Sequence, residues 1–121
     1  IELGGAKQAP PEVERAKDTS GATVMQDIAD AAQQLPDNVD FWAPWCGPCR
    51  MFGPVLDEVA ETLAGQVKVL KVNVDEHGEL AGRFGVQAIP LVILFKDGLP
   101  VQQMVGLQSR ANLLAAARAV L

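Results

Sequence analysis

Cys46 and Cys49 are the only thiols in this chain of 121 residues, and they stand three positions apart within FWAPWCGPCR, Phe41 to Arg50. Three kinds of chemistry are open to such a pair. A structural disulfide closing so small a loop would contribute only about 2 kcal/mol, little for a domain long enough to build its own core. A tetrahedral metal site normally takes four ligands. The chain offers the two thiols and a single histidine, His77, so a metal would have to be shared across a dimer. Redox exchange needs only two neighbouring thiols of unequal reactivity. The spacing favours this third chemistry, with a shared metal and inert thiols as the remaining alternatives.

Unequal reactivity depends on the elements that carry the two sulfurs. Val39 to Ala43 reads as a short strand, and Pro48 to Ala64 spaces Phe52, Leu56, Val59, Ala60 and Leu63 along one face of a helix. Gly65 suits the end of that helix. Cys46 then falls at the hand-over from strand to helix, with Gly47 and Pro48 in the first turn, where a missing N–H costs nothing. The unpaired N–H groups of the helix start point at the Cys46 sulfur and favour its thiolate. Cys49 lies one turn further in on the same face, within reach of a disulfide after a small adjustment. Cys46 is the expected nucleophile and Cys49 the expected resolving thiol.

The rest of the chain supplies a frame for this junction. Thr23 to Leu35 places Val24, Ile28, Ala31, Ala32 and Leu35 on one helical face, with Ser20 or Thr23 as cap and Pro36 as stop. A weak strand is expected around Val13 to Asp18. QVKVLKVNVD is strongly strand-like, a short helix fits Glu79 to Arg83, and the apolar run Leu91 to Phe95 suits a strand covered on both faces. Asp97-Gly98 is a hairpin turn, Pro100 to Val105 an edge strand, and Ser109 the cap of a last helix lined by Leu113, Leu114, Ala117, Val120 and Leu121. Alternation first and a hairpin last predict an α/β fold, a mixed sheet with helices on both faces.

Bulk properties narrow the function. The length fits one domain, expected over 18–121, after a flexible lead-in over 1–17 that is poor in large apolar residues. A formal charge of −5 argues against general nucleic-acid binding, which needs clustered cations. No apolar run is long enough for a bilayer span, and no secretory signal is visible. A cytoplasmic protein with no membrane association is expected.

Four blocks, VDFWAPWCGPCRMFGPVLDEVA, VKVLKVNVDE, FGVQAIP and LFKDGLPVQQMVGLQS, resemble consecutive segments of thioredoxins in the same order. The resemblance runs from about Val39 to the C-terminus, and more loosely from Asp18. It implies the thioredoxin fold and a reversible Cys46–Cys49 dithiol/disulfide cycle that reduces protein disulfides. No bound cofactor or metal is implied. The implied partners are disulfide-containing proteins and a regenerating thioredoxin reductase, and a monomer is expected. Asp40 matches the family's buried carboxylate, which assists the deprotonation of Cys49; a carboxylate in an apolar setting has a raised pKa, as a base near neutral pH requires. Lys71 matches the lysine beside it. The plainer alternatives are a solvated strand-end carboxylate and a solvated strand lysine. Pro90 matches the family's cis-proline. Trp45, Gly47, Pro48, Ile89, Pro90, Val105 and Gly106 would form the shallow surface that takes extended peptide. Trp42 is expected to pack beneath the site, Pro54 to bend its helix, and His77 to be a loop residue without a role.

The sequence departs from the family pattern twice. Asp37 and Asn38 stand where apolar strand residues are usual, so either the strand starts later, with both in a turn after Pro36, or Asn38 points into the core at a cost of about 1–3 kcal/mol if unpaired. Leu91 follows Pro90 where threonine is usual. Two other functions fit the same residues: the substrate-binding thioredoxin-like domain of a chaperone-type protein, and an exported domain with a structural disulfide.

Overall fold

The computed structural model describes residues 16–18, 25 and 35–121. The expected lead-in over 1–17 and the helix expected over Thr23 to Leu35 fall almost wholly outside the described residues. Within them the order is β1 (Lys17–Asp18), β2 (Asp37–Trp42), α1 (Gly47–Thr62), β3 (Lys68–Asn73), α2 (Gly78–Arg83), β4 (Leu91–Lys96), β5 (Leu99–Val105) and α3 (Arg110–Ala119). The five strands form one sheet in the order β1-β3-β2-β4-β5. β1, β3 and β2 run parallel, whereas β4 and β5 are antiparallel to their neighbours. This is the mixed sheet expected.

β2 starts earlier than its composition suggests. Asp37 and Asn38 are not in a turn after Pro36. They pair with Lys68 and Val69 of β3 on one side and with Phe95 and Leu94 of β4 on the other. Both are buried. Asp and Asn disfavour strands, but a central position with a ladder on each side outweighs that local preference.

Alternation along the strands builds two cores. On one face, Val69, Val92, Leu94 and Met104 of the sheet meet Phe52, Leu56 and Val59 of α1 and Leu113, Leu114 and Ala117 of α3. On the other, Val39, Phe41, Leu70, Val72, Ile93 and Phe95 pack with Leu80 of α2 and with Phe84 and Met25. Phe84 joins this second core as an aromatic bridge, 5.2 Å from Phe95 and 6.1 Å from Phe41 between ring centroids.

Local chemistry sets the ends of the elements. Asp97 and Gly98 both take positive φ, 56° and 80°, as the two-residue turn between the paired Lys96 and Leu99 requires. Pro100 sits on β5, an edge strand, where a missing donor is tolerated. The Ser109 hydroxyl oxygen accepts the N–H of Asn112 at 3.0 Å and starts α3. That helix ends at Ala119, so Val120 only caps it and Leu121 is exposed rather than part of the packed face.

Candidate active site

The strand β2 ends at Trp42, and the chain turns through Ala43 to Trp45 into α1. Cys46 is the residue that caps this helix: its backbone is still extended, and its Sγ accepts the N–H of Cys49 at 3.2 Å. Pro48 occupies the first turn, where it removes a donor that no carbonyl would have met. The two cysteines form a disulfide, with Cα atoms 5.2 Å apart. The sequence places the junction correctly, between β2 and α1. Cys46 and Cys49 are equally shielded, at 5 % exposure each. Their asymmetry in this oxidised state is one of position: Cys46 receives the N–H of the helix start, while Cys49 supplies it.

Beneath and around the pair, Ala43, Cys46 and Cys49 form a small buried cluster, against which Trp42, Val74 and Ile89 pack. Trp42 therefore lies under the site as expected. Asp40 is buried in β2, one strand alternation before Trp42 on the same face. It is not a solvated strand-end group. Lys71 is its register partner on β3, and the Lys71 ammonium stands 5.2 Å from the centre of the Trp42 ring. That distance is within cation–π range.

The residues expected to meet substrate fall into two groups. Trp45, Gly47 and Pro48 are exposed around the disulfide, Trp45 at 68 %. On the other side, the Ile89–Pro90 bond is cis, and the Pro90 carbonyl accepts the Gly106 N–H at 2.8 Å. This bond ties the loop after β5 to the start of β4. Val105 is exposed beside it, Ile89 and Gly106 are half-buried, and Pro90 is buried. Gly106 has φ +87°, and a Cβ built there would meet nothing within 4 Å. The backbone conformation, not crowding, calls for glycine. Leu91, the departure after Pro90, is buried in the second core and pairs with Val105. Its bulk is taken up by packing.

One contact was not foreseen. The exposed Trp45 indole N–H donates to Asp75 Oδ1 at 3.2 Å, and the Asp75 N–H in turn donates to Asn73 Oδ1 at 2.9 Å. A carboxylate just after β3 thus fixes an exposed ring 30 residues away. No local pattern in the sequence marks Asp75 for this, because only the parallel β2–β3 pairing brings the two loops together. His77 is half-buried just before α2, with Nε2 4.0 Å from Glu76. Among the described residues, no group of three or more His, Cys, Asp or Glu could hold a metal ion. No helix among them is long and apolar enough to cross a membrane.

The sequence model of the family described as Thioredoxin matches residues 14–119. The chain belongs to the thioredoxin family. It is 47 % identical to "Thioredoxin 1" of Synechococcus elongatus over 92 residues, covering 76 % of this chain and 84 % of that protein. It is 55 % identical to the thioredoxin of Alicyclobacillus acidocaldarius over 78 residues, covering 64 % and 74 % respectively. Among solved structures, a mutant thioredoxin from Halobacterium salinarum superposes with a TM-score of 0.75 at 34 % identity, covering 93 % of this chain and 96 % of that one. Family membership and the Cys46–Cys49 disulfide together make the chain a thiol–disulfide oxidoreductase that reduces protein disulfides. The chaperone-type alternative finds no support among these thioredoxins.

Proposed function

We propose that the cycle starts at Cys46. In the reduced protein, the N–H groups at the head of α1, that of Cys49 among them, stabilise negative charge on Cys46 Sγ. This thiolate attacks one sulfur of a substrate disulfide. A Cys46–substrate disulfide forms, and the other substrate sulfur leaves as a thiolate that takes a proton from water. Cys49 then passes its thiol proton to the Asp40 carboxylate, and its thiolate attacks Cys46 Sγ. The second substrate sulfur leaves, and the Cys46–Cys49 disulfide closes. Two electrons have passed from the protein to the substrate. Lys71, beside Asp40 in the register, offsets the charge of the ionised carboxylate.

Extended peptide lies between the Trp45, Gly47 and Pro48 side and the Ile89, Pro90, Val105 and Gly106 side, held mainly by apolar contact and backbone. The redox-active disulfide is itself the electron carrier, so the protein works without a bound cofactor or metal. It is a monomer in the cytoplasm that meets disulfide-containing proteins, away from membranes and nucleic acid, and a thioredoxin reductase returns it to the dithiol.

The observation that carries this reading is the placing of Cys46 as the cap of α1, with the Cys49 N–H on its sulfur. The test is reduction of insulin disulfides coupled to a thioredoxin reductase. The wild-type chain turns over and Cys46→Ser abolishes turnover, whereas Cys49→Ser accumulates mixed disulfides through Cys46. A folded Cys46→Ser protein that still turns over contradicts the assignment.

A further inference from the structure

The proposed cycle leaves one deeply buried polar side chain near Asp40 without a task. Asn38 lies two residues before Asp40 in β2 and is 0 % exposed. Neither its amide nitrogen nor its amide oxygen has a hydrogen-bond partner among the described residues. Such a group is costly to bury, and an apolar residue would serve the strand better.

The register limits what this amide can reach. Opposite it stand Val69 of β3 and Leu94 of β4, both in the apolar core under α1 and α3. Alternation puts Asp40 next on the same face, about 6.6 Å along the strand. An amide and a carboxylate turned toward each other can close that gap to hydrogen-bond distance by rotamer changes alone. Among the described residues, the nearby charged and titratable groups begin with Asp37 of β2 itself and its register partner Lys68 of β3. β3 brings Lys71 opposite Asp40, and the head of α1 brings the two cysteines. β4 brings Val92 opposite Asp40, with Lys96 at its far end. On α1, Arg50, Glu58 and Glu61 are exposed, and half-buried Asp57 accepts the Ala16 N–H. α3 faces this core with Leu113, Leu114 and Ala117.

We infer that Asn38 is a positioning residue for the disulfide cycle: its amide N–H turns onto the Asp40 carboxylate when Asp40 is ionised and holds that base ready for the Cys49 proton. The inference rests on Asp40 being the proton acceptor. Only one proton moves, from Cys49 Sγ to an Asp40 oxygen; Asn38 keeps its own and changes no bond. Burial favours the neutral carboxyl, whereas a donor aimed at the carboxylate favours the charged form. Asn38 therefore counters part of the burial effect and keeps Asp40 able to ionise near neutral pH.

The test is Asn38→Leu, read by NMR titration of the Asp40 carboxyl carbon and by the pH profile of insulin reduction. The Asp40 midpoint moves up by about one pH unit. The acid limb of the rate profile moves with it. Asn38→Thr, which keeps a donor, moves both less. Asp40→Asn, measured alongside, removes that limb. If the Asp40 midpoint stays put in folded Asn38→Leu while Asp40→Asn still removes the limb, the role of Asn38 is overturned and that of Asp40 stands. If Asp40→Asn leaves the profile unchanged, both assignments fall.

Discussion

The two faces of β2 are built on different terms. One turns Val39 and Phe41 into a core of Leu70, Val72, Leu80, Ile93 and Phe95, with Phe84 packed edge-on against it. The other carries Asn38, Asp40 and Trp42, and there the Asn38 amide atoms and the Trp42 indole nitrogen are buried without a hydrogen-bond partner among the described residues. Of the six residues of β2, Val39 and Phe41 serve packing on one side, next to the buried Asp37, while Asn38 and Asp40 bring polar groups into the core under α1 and α3 on the other. The lesson is that buried polar groups on the site face cost stability that apolar residues there would not.

That division predicts opposite outcomes for substitutions one residue apart. Phe41→Ala empties the largest buried side chain that β2 gives to the packing face and should cost about 3–5 kcal/mol in denaturant unfolding. The folded fraction should keep its ordinary rate of disulfide reduction. A comparable loss of rate per folded molecule would break the contrast. Asp40→Asn should do the reverse: reduction slows by about 100-fold near neutral pH, while the unfolding midpoint holds or rises. The smallest effect concerns Asn38→Leu, which replaces an unpaired amide with the kind of residue the position favours. Its stability should rise by roughly 1–2 kcal/mol at mildly acidic pH. A fall in the melting temperature would show that the site face is packed around its polar groups and does not merely accommodate them.

Much of this arrangement can be read along the chain, because it depends on local signals. The helix start at Cys46 follows from Pro48, the hairpin from Asp97-Gly98, and the cap of α3 from Ser109. Continuous apolar residues mark β4 as a strand covered on both faces. The failures come where tertiary context decides. Asp37 and Asn38 leave the start of β2 open between two positions along the chain, and only the ladders from β3 and β4 decide it by holding them in the strand. Leu121 has helical spacing but lies past the end of α3, where it stays exposed. Asp75 is bonded to Trp45 only because parallel pairing aligns the ends of β2 and β3. The equal shielding of the two cysteines is likewise a property of the folded junction, invisible in their spacing.

The two cysteine residues are equally shielded in the disulfide form, whereas the N–H groups at the head of α1 meet Cys46 Sγ alone, and alkylation of the reduced protein reads that difference directly. The fully reduced, folded protein is treated with limiting iodoacetamide at neutral pH, and each thiol is followed by mass spectrometry over time. Cys46 should be modified many times faster than Cys49, which should react at its usual rate only after unfolding. Equal rates at both positions in the folded protein would contradict the helix-capped thiolate on which the whole cycle depends.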